Sequence, residues 1–182
     1  MDHAHDLTRW VLRTFVDVPD NYRPWADEAL KAARRLCAER RIDAIYTTLP
    51  PFSSMHVGYA LRHETGLPWI ADYSDLWYGD VLREWMPTWR KNMELRMERR
   101  LLKRADVVVT VSEQKTAYMQ RLHPELRTRW ETLTNGYDTE LYGERLRTRP
   151  FSQDTVEFVY TGRLFKSRRG YAFAEALGRI HR

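Results

Sequence analysis

From residue 24 onward the apolar residues of the chain alternate between two spacings. After Pro24, the residues Ala26, Ala29, Leu30, Ala33, Leu36 and Cys37 recur at helical intervals, which predicts an amphipathic helix through Arg41. Proline suits its first turn, Asp27 and Glu28 sit near the positive end of its dipole, and Arg40 and Arg41 near the negative end. "IDAIYTT" (42–48) then reads as a short buried strand, stopped by "LPPF". Ser53 or Ser54 is placed to cap a helix over "SMHVGYALRHE", and Gly66 and Pro68 end it. "PWIADY" (68–73) is the next strand. "TWRKNMELRMERRLLKRA" (88–105) steps through Trp89, Met93, Met97, Leu101 and Ala105, which predicts a long helix with that stripe inward. "ADVVVTV" is apolar at successive positions, as a strand covered on both faces requires. Ser112 precedes the helix "EQKTAYMQRL", which His123-Pro124 breaks, and "WETLT" forms a further strand ended by a turn at "NGYD". Residues 139–155 lack periodicity and read as a linker. "VEFVYTGRL" and "YAFAEALGRIHR" form one more strand and helix.

Strands that alternate with helices imply crossover connections, hence an α/β, Rossmann-like parallel sheet with helices on both faces. Ligands of such sheets bind at the carboxyl ends of the strands. The loops expected there, "TTLPPFSS", "DYSDLW", "TVSEQ" and "TNGYD", hold most of the chain's hydroxyl and carboxylate side chains that follow a strand. That arrangement suits a polyhydroxylated or anionic ligand.

Composition changes this picture little. The 182 residues suffice for one well-buried domain and the beginning of another, and 43% apolar with 30% charged residues excludes wholesale disorder. The net charge of +5 arises from 30 basic and 25 acidic residues that interleave, unlike the one-sided basic surface of a duplex binder, so no nucleic-acid partner is expected. The basic run of 99–104 is read as a solvated helix face, with a phosphate or peripheral membrane contact as its alternative. A single cysteine, Cys37, forms no internal disulfide and is read as a small core residue, which fits a reducing compartment. No apolar run reaches the ~20 residues of a membrane span, and "MDHAHDLTRWVLRTFV" has no secretion-signal core, so a cytoplasmic setting is expected. His3 and His5, two residues apart near a terminus, are read as tail residues, and no metal is assigned.

"YTTLPPFSSMHVGYALRHETGLPWIADYSDLW", "ERRLLKRADVVVTVSE", "LTNGYD" and "FVYTGRLFKSRRG", in this order, resemble the group-1 retaining glycosyltransferases of family 4, of GT-B fold, over residues 19 to 181. The resemblance implies a partial acceptor-binding domain over 1–150 and the beginning of a donor-binding domain over 151–182. It implies a hexosyltransferase-like enzyme that uses a nucleotide-diphosphate sugar as donor substrate, a hydroxyl acceptor such as a sugar or lipid-linked sugar, and no further cofactor. Cell-envelope or exopolysaccharide synthesis is the commonest setting of the family.

Carried over by residue, Gly162, Arg163 and Arg169 match the glycine and basic residues that contact the donor diphosphate. Glycine admits close backbone approach, and guanidinium groups fork onto phosphate. Asp75 matches an acidic residue that orients or deprotonates the acceptor hydroxyl, with Ser74 standing where related enzymes carry histidine or arginine. Ser53 and Ser54 match the acceptor loop. Asn135 and Gly136 are read first as a turn, Asp72 as a loop brace, and Trp77, Trp85 and Trp89 as rings that stack on sugar, dip into a membrane interface or pack in the core. The family's first strand, its glycine-rich loop and its E-x7-E pattern have no counterpart in residues 1–182. The chain is therefore read as a fragment, inactive alone. The alternative is a non-catalytic binding module or a subunit that needs a donor domain in trans.

Overall fold

Helix α1 spans Arg23–Glu39 with Pro24 in its first turn, and β1 spans Ile45–Leu49. Helix α2 covers Ser54–Thr65, and Gly66 ends it in the left-handed conformation at φ 74°, which costs glycine nothing. Then come β2 (Trp69–Tyr73), α3 (Thr88–Leu102), β3 (Val107–Thr110), α4 (Glu113–Leu122) and β4 (Arg129–Thr132). The α4 cap is the expected one: Ser112 Oγ accepts from the Lys115 N–H at 3.3 Å. Two short elements lacked a sequence signal, a wide helical turn at Leu12–Val16 and a 3-10 turn at Val81–Arg83. The computed structural model describes residues 7, 8, 10–142, 156–162 and 170–180, so His3, His5, Arg163 and Arg169 lie outside the described residues.

All four strands are parallel and stand in the order β1-β2-β3-β4, with Thr47 beside Ala71, Ala71 beside Val108, and Val108 beside Trp130. The α/β, Rossmann-like class is the expected one, but the expectation of helices on both faces is corrected: α2, α3 and α4 pack on one face, and Tyr46 and Thr48 are exposed on the other. Right-handed crossovers between sequential neighbours all return on one side, so α2, α3 and α4 share a face of the sheet. That face carries the core: Ile45, Leu49, Trp69, Ala71, Tyr73 and Val108 pack with Met55, Leu61, Leu102 and Met119. On the opposite face Tyr46 and Thr48 of β1 are exposed and Ile70 and Asp72 of β2 half-buried.

The stripe predicted for α3 is displaced by about one position. Trp89 is exposed and Met93 and Met97 are half-buried, whereas Arg90, Glu94 and Glu98 are buried with Leu101 and Leu102. One residue is about 100° of helix rotation, so the charged row has taken the inward place. It does so because each of these charges meets another buried polar group.

By internal contacts the chain divides into two units, residues 1–135 and 136–182. The first holds the sheet. In the second, Tyr171–Ile180 forms α5, and Phe173 meets Phe158 edge-on at 5.2 Å. Residues 156–160, expected as part of a strand, join no sheet ladder among the described residues, and a strand exists only through its ladder. Thr139–Tyr142, inside the expected linker, forms a single helical turn.

Candidate active site

Four strand ends and one upstream segment build the carboxyl edge of the sheet. After β1, the chain turns through Pro50 and Pro51 into two buried serines. Neither caps α2 with its side chain. Ser53 Oγ donates to Asp20 Oδ1 at 2.5 Å while its N–H donates to Asp20 Oδ2 at 3.2 Å, and Ser54 Oγ donates to the Thr48 carbonyl at 2.8 Å. The capping expectation fails because the hydroxyls have nearer acceptors, and tight turns onto Pro51 and Phe52 close the helix start instead. Asp20 thus pins the upstream segment to the acceptor loop. Its only sequence signal was "PD" before the turn that opens α1.

The loop after β2 crosses back over β1: Ser74 N–H donates to the Leu49 carbonyl at 3.2 Å. Lys115 reaches in from the first turn of α4, donating from Nζ to the Ser74 carbonyl at 2.5 Å and standing 3.5 Å from Asp75 Oδ1. The Asp75 carboxylate is 67% exposed and therefore open to a ligand. Lys115 supplies a cation beside the position where Ser74 offers none, and sequence reasoning missed it. At the ends of β3 and β4, Thr110, Thr116 and Thr132 join their hydroxyls in series at 2.7 and 2.6 Å. Asn135 and Gly136 are exposed and irregular, without the expected turn. Asp72 lies on the other face of β2, where the Tyr46 phenol is pushed up by burial first and then by its bond to Asp72.

Trp77 stands in the core. Phe52 stacks on its ring at 5.6 Å, and its Nε1 donates to Glu94 Oε2 at 2.8 Å, so neither face nor edge is free for a sugar. Glu94 Oε1 accepts from Arg83 at 2.8 Å and from Arg90 Nε at 2.7 Å. Arg90 also donates to the carbonyls of Thr14 and Asp17, and Arg83 to that of Pro19 at 2.9 Å. Burial lowers the Arg83 pKa, and Glu94 opposes that shift. This ionic floor carries two clefts that share Asp80, Arg83 and Met86. One, of about 360 Å³, opens between Asp17, Asp20, Asn21 and Phe52; the other, of about 180 Å³, lies along Tyr78, Gly79 and Lys91. Gly79 has φ 92°, and a Cβ there would stand 2.6 Å from the Tyr118 hydroxyl, so the cleft wall depends on glycine.

Behind the β2 loop, Tyr73, Glu98 and His123 are buried together, with Glu98 Oε2 3.6 Å from His123 Nε2. Burial raises the Glu98 pKa against the pull of His123, and it pushes the Tyr73 phenol well up, helped by Glu98. Among the described residues, no three histidine, cysteine or acidic side chains are grouped to hold a metal ion.

The carboxyl edge of a parallel sheet, lined by clefts that mix carboxylate and basic side chains, suits a polyhydroxylated ligand. The model of the glycosyl transferase 4-like domain family matches residues 3–136, which include every strand of that sheet. The chain belongs to that family. Its family makes it a glycosyltransferase in general terms, with a sugar donor and an acceptor as substrates. No curated protein matches the chain. Within the glycosyl transferase 4-like domain, Ser53, Ser54, Ser74 and Asp75 come together at the edge, and Trp77 lies beneath them. Of the diphosphate trio only Gly162 is described, exposed and in the second unit.

Proposed function

We propose that the chain supplies the acceptor side, and through its second unit the first part of the donor side, of a retaining GT-B glycosyltransferase. The donor is a nucleotide-diphosphate sugar and the acceptor a hydroxyl of a sugar or a lipid-linked sugar. The supporting observation is the open Asp75 carboxylate beside Lys115 at the sheet's carboxyl edge, within the stretch matched by the family. In the reaction the bond from the anomeric carbon to the diphosphate breaks and a bond to the acceptor oxygen forms with the same configuration. Asp75 orients the acceptor hydroxyl and takes up its proton as that bond forms. Gly162, Arg163 and Arg169 receive the diphosphate, and their cations stabilise its growing charge. Ser53 and Ser54 hold the acceptor loop through Asp20 and Thr48, and Ser74 relays the position of Lys115.

Calorimetric titration with a panel of nucleoside diphosphate sugars tests the reading. Arg163→Ala and Arg169→Ala should each weaken donor binding by about tenfold, the value of one charge-assisted phosphate contact. Unchanged affinity in both variants contradicts the donor assignment. Donor and acceptor binding without any sugar transfer would favour a non-catalytic binding module.

A further inference from the structure

Helix α3 sorts its charges by face. Its exposed positions are Thr88, Trp89, Asn92, Arg96 and Arg100, continued past the helix end by Lys103 and Arg104. Its two acids turn the other way: Glu94 is taken up by Arg83 and Arg90, and Glu98 is buried beside His123. In sequence the two signs interleave, and in space they part. Acids at the margins are already paired, Glu125 with Arg99 at 2.6 Å and Asp106 with Arg62 at 3.0 Å. A hydrogen bond from Arg104, opposed by burial and helped by one from Arg100, draws the neighbouring Tyr59 phenol below its usual pKa, and the charges of the two arginines add to it.

At the start of α3 the cationic row runs into aromatic rings. Trp89 packs on Phe15 at 5.4 Å and Phe15 on Trp10 at 6.1 Å, yet the three remain 48%, 57% and 40% exposed. Arg13 lies 4.8 Å over the half-open ring of Trp85 beside them. Indole rings have an apolar body and a polar edge, which places them at the boundary of a bilayer, and a row of cations complements anionic headgroups. We propose that this face, from Trp10, Phe15 and Trp89 along Arg96, Arg100 and Lys103, docks the protein on an anionic lipid bilayer. The rings would enter the headgroup layer at the end of α3 that opens onto the clefts, and the cations would lie along the lipid phosphates. Sugar transfer is not needed for such docking, so its test stands apart from any activity.

The test is flotation of the whole chain with vesicles of phosphatidylcholine alone and of phosphatidylcholine with one third phosphatidylglycerol. Binding is expected to the anionic vesicles, weakened by salt, with a blue shift of tryptophan fluorescence. Combined Arg96→Gln, Arg100→Gln and Lys103→Gln substitutions should lower the partition by on the order of 100-fold, roughly fivefold for each cation lost. Trp89→Ser with Trp10→Ser should abolish the blue shift. These side chains are exposed, so thermal melting of both variants should match the parent and separate lost docking from lost folding. Absence of binding to either vesicle, binding untouched by the charge variant, or capture of a short DNA duplex in place of vesicles would overturn the proposal.

Discussion

His56 is mostly buried in the first turn of α2, with no hydrogen-bond partner at Nε2 among the described residues. Burial first, and then the nearby Arg23, lower its pKa from 6.5 to about 4 against the opposing pull of Asp20 and Asp27. The unfolded chain therefore takes up this proton at a higher pH than the folded one. Stability attributable to His56 is intact above pH 6.5 and is lost as pH falls from 6.5 toward 4, by at most about 3 kcal/mol before solvent screening. Glu98 acts with the opposite sign: its folded pKa is raised, so its share of stability is greatest in acid and falls as pH rises above 4.5. Urea titrations across pH 4–8 check both. His56→Gln should lessen the loss on the acid side, and Glu98→Gln should lessen the loss on the neutral side. Little of this was legible in the sequence, because hydropathy places a glutamate or an arginine outside. Asp75 was visible through its loop, whereas Asp20, Arg90, Glu94 and Lys115 become site residues only when distant segments meet.

Two of the element packings can each be probed at a single residue. Helix α2 lies on β2 where Gly58 faces Trp69, and a Cβ at residue 58 would run into the indole, which is fully buried and bonded to Thr47 Oγ1 at 2.9 Å. Gly58→Ala should cost about 1–3 kcal/mol by overpacking, read as a lower Tm with the fold intact. Helix α3 is tied to the upstream segment by Arg90, whose guanidinium Glu94 orients and neutralises. Glu94→Ala leaves Arg83 and Arg90 buried without their carboxylate and should cost about 3–5 kcal/mol, whereas Glu94→Gln, whose one carbonyl oxygen at the Oε1 position keeps both arginine bonds and gives up only that to Trp77, should cost less. Equal losses in the two variants would mean that shape rather than charge holds the helix. The elements themselves were legible: alternating periods located α1 through α5 and the four strands of the sheet, and the glycine, proline and serine signals marked most ends. What failed was the rotation of α3. Its apolar stripe and its ionic row are neighbouring rows of one helix, and periodicity cannot choose between them once ionic partners wait on the inside.

At the scale of the whole molecule, the parallel sheet and every member of the apolar core lie within residues 26–132. The unit of residues 1–135 therefore owns what a domain needs, an inward sheet face covered by α2, α3 and α4. The match to the glycosyl transferase 4-like domain family ends at residue 136, next to the same boundary. A chain ended after Asn135 should accordingly unfold in one cooperative transition, with a Tm within a few degrees of the whole chain, as followed by circular dichroism. The same shortened chain lacks Gly162, Arg163 and Arg169 and should lose the binding of nucleoside diphosphate sugars that the whole chain is proposed to have. The two readouts divide the molecule differently. A folded unit without donor binding places the diphosphate contacts beyond residue 135. A folded unit that still binds the donor would move them to the sheet edge beside Lys115. An unfolded one would mean that the remaining residues cover apolar surface the sheet cannot leave open.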